Sequence, residues 1–311
     1  MTDDIQDGGN RPAWSALPDP VRSLIESMVG RVHATRPARG GFSPGFASVL
    51  EVAGGQRVFV KAISDDLTPR ATELYRQDHR ICAALPPSVP TPRLLEVRED
   101  YGWIVLAFEF ADGRIPSPTR PADLEAMLET YARLAEVLDP SPLPLETFES
   151  RWNGRFDEWS GSDVDGIGER FSWAGANLPL ITKTAENWRI AVRGNALVHG
   201  DLRADNMILT TSGMLVVDWP ESCIGAPWLD LVLALPSLAM FANGPDPEDV
   251  VRTHPVTAAV DPGHLDAVVA ALAGFFAVNS LRPPPPGLPT LRRFQHDQAE
   301  VALAWLRQRV G

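Results

Sequence analysis

A polar loop followed by a pair of apolar segments holds the residues of this sequence that are best suited to chemistry. The loop carries Asp201, and Asn206 stands five residues later, where the first apolar segment begins. A turn at 210–213 leads into the second apolar segment, which ends at Asp218. A hairpin would bring Asn206 and Asp218 to the same end of two neighbouring strands, where their side-chain oxygens could share a hard cation such as Mg²⁺. Beside a metal-bound phosphate, the Asp201 carboxylate could orient a hydroxyl group and accept its proton.

Each of these residues also has an ordinary structural interpretation. Aspartate and asparagine in loops often cap turns, and His199 could be a buried, hydrogen-bonded histidine. The complete order is a stronger signal than any single member, because His-Gly-Asp is followed by an asparagine and then by an aspartate at a strand end. We therefore expect a catalytic and metal-binding site here rather than a set of turn caps.

In this order, the loop and the strand pair resemble the catalytic and metal-binding loops of the aminoglycoside phosphotransferase family, a branch of the protein-kinase-like fold. In that family His-Gly-Asp-x-x-x-x-Asn replaces the kinase motif His-Arg-Asp-x-x-x-x-Asn, and an Asp-Trp pair takes the place of Asp-Phe-Gly. The resemblance implies that Asp201 is the catalytic base and that Asn206 and Asp218 are the Mg²⁺ ligands. It also implies a role for Arg203 near the γ-phosphate, where protein kinases often carry a lysine.

The resemblance continues downstream and implies an activity. Residues 226–231 read Ala-Pro-Trp-Leu-Asp-Leu, similar to the family's Asp-Pro-x-x-Asp-Leu, and Ala226 departs from it. The family implies an ATP- and Mg²⁺-dependent phosphotransferase that moves the γ-phosphoryl group to a hydroxyl of a small molecule, such as an aminoglycoside or a related antibiotic. No segment like a protein-kinase activation loop follows Asp218, which disfavours a protein substrate. A nucleotide-binding pseudoenzyme or interaction module of the same fold is the alternative.

A kinase-like fold requires a lysine on a strand of the small β-rich half. Lys61 is flanked by apolar residues, and its charge is costly to bury unless it is paired or points outward from a half-exposed sheet. Its partner should be an acid on the following helix, either Glu73 or Asp78. Asp78 falls on the apolar stripe of that helix, whereas Glu73 is more easily interpreted as a solvated acid of the first turn. We expect Asp78, although the family usually has glutamate, and Lys61 would then fix the α- and β-phosphates.

A glycine-rich loop precedes the Lys61 strand, at the place where the family covers the nucleotide. Glycines let a backbone approach phosphate oxygens and present N–H groups to them. The predicted contacts come from Gly40, Gly41, Ser43 and Gly45. The spacing of the glycines departs from the kinase Gly-x-Gly-x-x-Gly. The prediction therefore depends on the position of the loop, just before the Lys61 strand.

The junction of the two halves, at 106–113, resembles the hinge of the family. The resemblance implies that backbone groups at Glu109 and Ala111 pair with the edge of adenine. A plain strand followed by a turn is the alternative, and the sequence does not separate the two because the proposed contacts come from the main chain.

Hydrophobic periodicity supplies the elements that position these residues. It predicts helices at 19–29, 69–85, 121–138, 264–280 and 290–309. Short apolar runs between turn residues predict strands at 47–52, 57–63, 93–97, 103–110, 207–209 and 214–217. The predicted class is α+β, a bilobal protein-kinase-like fold with a small β-rich N-terminal lobe and a larger, mainly helical C-terminal lobe. We expect a disordered tail at 1–12, a nucleotide-binding lobe at 13–111 and a catalytic and substrate lobe at 112–311.

Composition limits the partners. The 311 residues include 28 Lys and Arg against 40 Asp and Glu, a formal charge of −12, which disfavours nucleic acid or an anionic membrane as the main partner. Two cysteines exclude a disulfide framework. The longest apolar run, 267–278, is shorter than the roughly 20 residues of a membrane span, and the acidic N-terminus does not resemble a signal peptide. We expect a cytoplasmic protein, and its oligomeric state is not predicted.

The acceptor pocket has the weakest signal. Residues 151–188 are rich in tryptophan, with Trp152, Trp159, Trp173 and Trp188. Such rings can stack on a sugar or a cation, but more often they pack in a core. Acidic residues of the same region would suit a polycationic aminoglycoside or form a solvated loop face: Asp157, Glu158, Asp163, Asp165 and Glu169.

Overall fold

Two units make up the protein. The structure, a computed structural model, describes residues 11–38, 45–66, 69–161, 166–285 and 288–311. The sheet unit comprises Met1–Ile115, Asp205–Glu221 and Pro286–Leu288. The helical unit comprises Pro116–Ala204, Ser222–Pro285 and Pro289–Gly311.

Two antiparallel sheets form the sheet unit. The main sheet has the strand order β1-β2-β3-β5-β4, with β1 Val32–Pro37, β2 Phe46–Val52, β3 Arg57–Ser64, β4 Leu94–Asp100 and β5 Trp103–Glu109. The smaller sheet has the order β6-β8-β9, with β6 Gly113–Arg114, β8 Met207–Thr210 and β9 Gly213–Val216. Between β4 and β5 the chain reverses at Tyr101 and Gly102, whose positive φ values of 53° and 71° suit a tight two-residue hairpin turn.

Alternation along β3 decides where Lys61 points. Helix α1, Asp19–Val29, covers one face of the main sheet, and Val60 and Ala62 are buried in the apolar cluster beneath it. Helix α2, Pro69–Ala84, packs on the apolar cluster of the opposite face. Successive side chains of a strand point to opposite faces, so Lys61 lies on the face that α2 covers.

Helices dominate the second unit. Their bounds are α3 Pro121–Val137, α4 Phe148–Arg151, α5 Ile167–Arg170, α6 Ser172–Ala176, α7 Leu178–Ala185, α8 Trp188–Ala191, α9 Leu229–Ala239, α10 Pro247–Thr253, α11 Pro262–Leu281 and α12 Leu291–Val310. Asp246 and Asp261 cap α10 and α11, because the carboxylate of each accepts hydrogen bonds from N–H groups of the first turn. The short strands β7, Ala196–Val198, and β10, Cys223–Gly225, pair antiparallel.

Helix α11 is both long and apolar. Its 20 residues and mean hydropathy of 1.5 are sufficient for a membrane span by length and composition, since the helix extends beyond the apolar run at 267–278. However, 67% of its apolar window is buried inside the protein, where α12 packs against it. A helix that is apolar on all sides and buried in this way is typical of a protein core.

The predicted α+β class is confirmed, and each predicted helix and strand is found within three residues of its expected bounds. The sequence did not predict β1, β6, β7 and β10, the short helices between 148 and 191, or the helices α9 and α10. Residues 1–10 of the predicted tail lie outside the described residues. The predicted division into lobes at 13–111 and 112–311 stays a prediction.

Candidate functional site

The hairpin of β8 and β9 positions the two predicted metal ligands. Met207 pairs with Val216, and the Val217 N–H donates to the Asn206 carbonyl over 3.0 Å. These contacts bring the backbones of Asn206 and Asp218 to the same end of the hairpin. Asn206 is buried, whereas the Asp218 side chain is 42% exposed.

Asp218 has an unusual backbone conformation, with a φ of +71°. Residues other than glycine rarely adopt this left-handed region, although aspartate does so more often than most, and it persists where the surrounding structure holds the backbone in place. Here the next residue, Trp219, is fully buried, its N–H donates to Asp78 Oδ1 over 3.1 Å, and its indole N–H donates to Thr91 Oγ1 over 3.3 Å. Burial of Trp219 therefore anchors the chain while the Asp218 side chain stays partly exposed.

Lys61 lies between two carboxylates. Its Nζ is 3.0 Å from Asp78 Oδ2 and 2.6 Å from Asp218 Oδ1, and its side chain is only 14% exposed. Burial alone would lower the pKa of Lys61, but the negative charges of Asp218 and Asp78 outweigh burial and raise the pKa above its ordinary value. Lys61 is therefore a permanently charged, oriented ammonium group.

Asp78 is a junction of the sheet unit. Besides Lys61, its carboxylate accepts the Trp219 N–H, and Cys82 Sγ lies 3.5 Å from Oδ1. Burial raises the pKa of the Cys82 thiol, which keeps it a neutral donor. The other candidate acid, Glu73, is exposed and pairs with Arg80. Asp78 thus ties α2 both to β3 and to the backbone that follows Asp218.

We expect Asp78→Glu to destabilise the protein although it restores the residue usual in the family. The additional methylene would displace the carboxylate from the Trp219 N–H or from Lys61, in a position that is 2% exposed. Overpacking of this kind typically costs about 1–3 kcal/mol in the free energy of unfolding, which denaturant titration measures. Glu73→Asp, an exposed change on the same helix, is the control and should have no effect. Equal stabilities of Asp78→Glu and wild type would contradict the role of Asp78 as a junction.

The predicted nucleotide-covering loop is only partly described. Gly40, Gly41 and Ser43 lie outside the described residues. At Gly45, an added Cβ would be 2.4 Å from the Tyr75 hydroxyl oxygen and 2.8 Å from the Ala62 carbonyl oxygen. Glycine is therefore required at this position for close packing, whether or not the backbone also approaches a ligand.

The predicted hinge follows β5. The Glu109 N–H donates to the Arg93 carbonyl over 2.9 Å, so this N–H group already has a partner and only the carbonyl of Glu109 could pair with a base. Ala111 is half-buried and follows the end of the strand. Arg57 fixes this segment, because it pairs with Asp112 at 2.8 Å and stacks over the ring of Phe110.

The N-terminal segment contributes a charge that the sequence did not indicate. Burial lowers the pKa of Arg11, while the nearby Tyr75 and Asp218 act to raise it. Trp14 packs on Phe46, with the ring centroids 6.0 Å apart, and Leu17 is buried, which holds this segment on the sheet unit. The surroundings of Asp218 thus include a second cationic side chain besides Lys61.

In the helical unit, Asp230 organises the His-Gly-Asp loop. Its carboxylate accepts the N–H groups of His199 and Gly200 over 2.8 and 2.9 Å. Gly200 has a φ of +80°, a conformation that favours glycine, and the fully buried His199 accepts the Asp201 N–H at Nδ1. Tyr131 adds a hydrogen bond from its hydroxyl to the Leu202 carbonyl over 2.6 Å. The backbone on both sides of Asp201 is therefore fixed.

Asp230 should make stability depend on pH. Burial raises its pKa from 3.8 to about 6, although the N–H groups of His199 and Gly200 favour the ionised form. A raised carboxyl pKa means that the folded state binds more protons than the unfolded state between these values, so stability is lost as the pH rises through about 6. The loss corresponds to about 3 kcal/mol at most, since one pH unit is equivalent to about 1.4 kcal/mol.

Asp230→Asn removes this titration. We compare the unfolding free energies of wild type and Asp230→Asn by denaturant titration at several pH values. The value for wild type minus the value for Asp230→Asn should decrease as the pH is raised from about 4 to about 7. Groups that titrate in both proteins cancel in this difference. A difference that is independent of pH, or that increases with it, would contradict the assignment.

Asp201 and Arg203 contact each other. An Arg203 guanidinium N–H donates to Asp201 Oδ1, and the side chains of Arg203 and Asp201 are 16% and 36% exposed respectively. The sequence predicted both residues as catalytic, and the contact shows that Arg203 lies next to the carboxylate of the predicted base.

The structure places three of the four candidate tryptophans in the interior. Trp152, Trp159 and Trp188 are buried, which confirms packing as their role. Asp157 pairs with Arg189 at 2.6 Å and Glu158 with Arg282 at 2.9 Å, so neither forms the solvated acidic face that was one interpretation of the sequence. Trp173 is half-buried, Glu169 is exposed, and Asp163 and Asp165 lie outside the described residues.

Comparison with known protein families finds a match to the part of the sequence that holds the candidate residues. A model of the phosphotransferase enzyme family matches residues 35–254, a range that contains Lys61, Asp78, Asp201, Asn206 and Asp218. No curated protein matches the chain significantly.

Solved structures of kinases share the fold at low sequence identity. A thermostable mutant of the aminoglycoside phosphotransferase APH(4)-Ia, bound to ADP and hygromycin B, is 15% identical with a TM-score of 0.61, covering 93% of this chain and 97% of that one. Spectinomycin phosphotransferase APH(9)-Ia, bound to ADP and spectinomycin, is 13% identical with a TM-score of 0.61, covering 93% and 98%. A choline/ethanolamine kinase family protein from Mesorhizobium loti is 18% identical with a TM-score of 0.57, covering 93% and 99%. The predicted protein-kinase-like fold is confirmed.

Proposed function

Because the chain belongs to the phosphotransferase enzyme family, we propose that it transfers the γ-phosphoryl group of ATP to a hydroxyl group of a small molecule. Family membership makes it a small-molecule kinase, and the donor, the metal and the acceptor are the parts that we propose. The observation that carries the proposal is the buried Lys61 ammonium between the carboxylates of Asp78 and Asp218. A charged group held in one orientation is suited to bind the α- and β-phosphates of a nucleotide.

Each side chain then has a role in the transfer. Lys61 binds the α- and β-phosphates, and Asp78 keeps the ammonium group in place. Asp201 orients the acceptor hydroxyl and accepts its proton while the new O–P bond forms and the bond from the γ-phosphorus to the bridging oxygen breaks, which releases ADP. Catalysis of this kind depends mainly on positioning and electrostatics.

Asn206 and Asp218 are suited to hold Mg²⁺. Magnesium in phosphate-transfer sites is commonly bound by one or two side chains together with substrate phosphates and water, and this hairpin end provides one amide and one carboxylate. When bound, the ion would neutralise negative charge on the phosphates.

The remaining nucleotide contacts come from backbone groups. We propose that Gly40, Gly41, Ser43 and Gly45 cover the phosphates, as the resemblance implies. For adenine, Glu109 would offer its carbonyl and Ala111 its N–H group, since the Glu109 N–H already donates to Arg93.

For the acceptor we propose an aminoglycoside or a related antibiotic. The fold neighbours bind hygromycin B and spectinomycin, and a third belongs to the choline/ethanolamine kinases, which makes small alcohols the second class to test. The ion pairs of Asp157 and Glu158 mean that a cationic acceptor must be bound by other acids. We keep a cytoplasmic location as part of the proposal, because ATP is supplied there.

A panel of acceptors tests the proposal. Purified protein is incubated with ATP and Mg²⁺ alone, and then with hygromycin B, spectinomycin, streptomycin, choline or ethanolamine, while ADP formation is followed. We expect at least one acceptor to accelerate ADP formation and to gain one phosphoryl group in the mass spectrum. Binding of ATP with no transfer to any acceptor would contradict the proposal and favour the pseudoenzyme.

A further inference from the structure

The Arg203 guanidinium contacts both a carboxylate and an aromatic ring. It donates to Asp201 Oδ1, and its Cζ is 5.6 Å from the centroid of the Phe294 ring. The Arg203 side chain is 16% exposed, so the guanidinium itself is largely shielded from water. A cation in this position over an aromatic face is attracted by the ring, more strongly when the pair is desolvated.

Phe294 is held in place by the first turns of α12. Its N–H donates to the Thr290 carbonyl over 3.1 Å, and its carbonyl accepts from Gln298 Nε2 over 3.4 Å. Two residues further on, the His296 ring stacks on Phe171, with the ring centroids 5.3 Å apart. The half-buried ring of Phe294 is thus carried by a backbone that is fixed within the helix, next to Arg203.

We propose that Phe294 is a positioning residue of the transfer reaction, which fixes the Arg203 guanidinium and, through it, the orientation of the Asp201 carboxylate. The proposal rests on the proposed function, because it takes Asp201 as the group that orients the acceptor. It goes beyond that function, because residue 294 lies outside the range of 35–254 that the family model matches. Arg203 then acts through Asp201, rather than as a ligand of the γ-phosphate.

The physical reason is the rotational freedom of a partly exposed carboxylate. The Asp201 side chain is 36% exposed, and a fixed backbone does not by itself select one side-chain rotamer. A guanidinium that is itself restrained by the Phe294 ring favours one of these orientations. Without the ring, Arg203 gains alternative rotamers in water, and Asp201 is held less firmly in its direction. Such a change lowers the rate of transfer and leaves the binding of ATP nearly unchanged.

Three variants of the full chain test the proposal. Phe294→Leu keeps apolar volume and removes the aromatic face, Phe294→Tyr keeps the face, and Phe275→Leu removes a half-buried ring of α11 elsewhere in the helical unit. The readout is hydrolysis of ATP with Mg²⁺, in which water takes the place of the acceptor. We expect Phe294→Leu to lower kcat about tenfold with a KM for ATP within about twofold of wild type, as expected when positioning alone is lost. Phe294→Tyr and Phe275→Leu should retain kcat.

A double-mutant cycle separates positioning from packing. In the Arg203→Met background, Phe294→Leu should have little further effect on kcat, because the group that it positions is absent. An unchanged kcat in Phe294→Leu, an equal loss in Phe294→Tyr, or additive losses in the cycle would overturn the role of Phe294 while leaving the proposed function intact. Wild type that binds ATP but shows no hydrolysis and no transfer would instead overturn the proposed function, and the role of Phe294 with it.

Discussion

Asp201→Asn should yield a folded protein that binds ATP but transfers phosphoryl groups about 10²–10⁴ times more slowly than wild type, the usual contribution of a general base. The amide keeps the shape of the side chain and can still accept the Arg203 hydrogen bond, but it cannot take a proton from the acceptor. The hydrogen bonds that Asp230 accepts from the loop do not involve this side chain, so the loop should keep its conformation. Steady-state ADP formation, with the thermal midpoint measured in parallel, checks both statements.

Asp297→Asn is the matched control for that experiment. Asp297 is an exposed aspartate of α12, and its replacement should leave turnover and the thermal midpoint unchanged. An Asp201→Asn protein with the turnover of wild type would remove Asp201 from the proposed mechanism.

Lys61→Met should have the second large effect, and it should act on both stability and turnover. Asp78 is almost fully buried, so loss of Lys61 leaves its negative charge without this cation. Removal of one partner of a buried ion pair typically costs about 3–5 kcal/mol in the free energy of unfolding. Turnover should fall at least about 10²-fold, because a preorganised charge at the phosphates is lost. Denaturant titration and ADP formation measure the two effects.

A double variant separates the two roles of Lys61. Lys61→Met combined with Asp78→Asn removes both charges of the pair, and the side-chain carbonyl oxygen of the new amide would still accept the Trp219 N–H. We therefore expect this protein to regain stability relative to Lys61→Met but to remain inactive. Recovery of turnover together with stability would show that Lys61 serves the fold alone.

The elements that carry strong local signals were predictable from sequence. The stripe of α1 buries Val21 and Ile25 as its spacing indicates, and the Tyr101-Gly102 turn closes its hairpin. Strand β1 was missed because its side chains are almost all exposed, so it shows no apolar pattern. Strands of two or three residues, such as β6 and β7, are too short for any period to be visible.

The candidate site was predictable where side-chain types define it. The choice of Asp78 over Glu73 followed from an acid on an apolar helix face, and Asp78 is indeed buried there together with Tyr75 and Ile81. What sequence could not provide are contacts made by the backbone or by residues distant in the chain. The hydrogen bond from the Trp219 N–H to Asp78 and the ring of Phe294 over Arg203 have no local signature.

We propose that Lys61, Asp78, Asp218 and Asn206 together hold ATP and Mg²⁺. Calorimetric titration of wild type and Asp218→Asn with ATP, each with and without Mg²⁺, examines this binding site. We predict that Mg²⁺ tightens ATP binding by wild type and that Asp218→Asn loses this difference while it still binds ATP through Lys61. Affinity of wild type that does not depend on Mg²⁺, or a full effect of Mg²⁺ in Asp218→Asn, would show that these residues do not form the site.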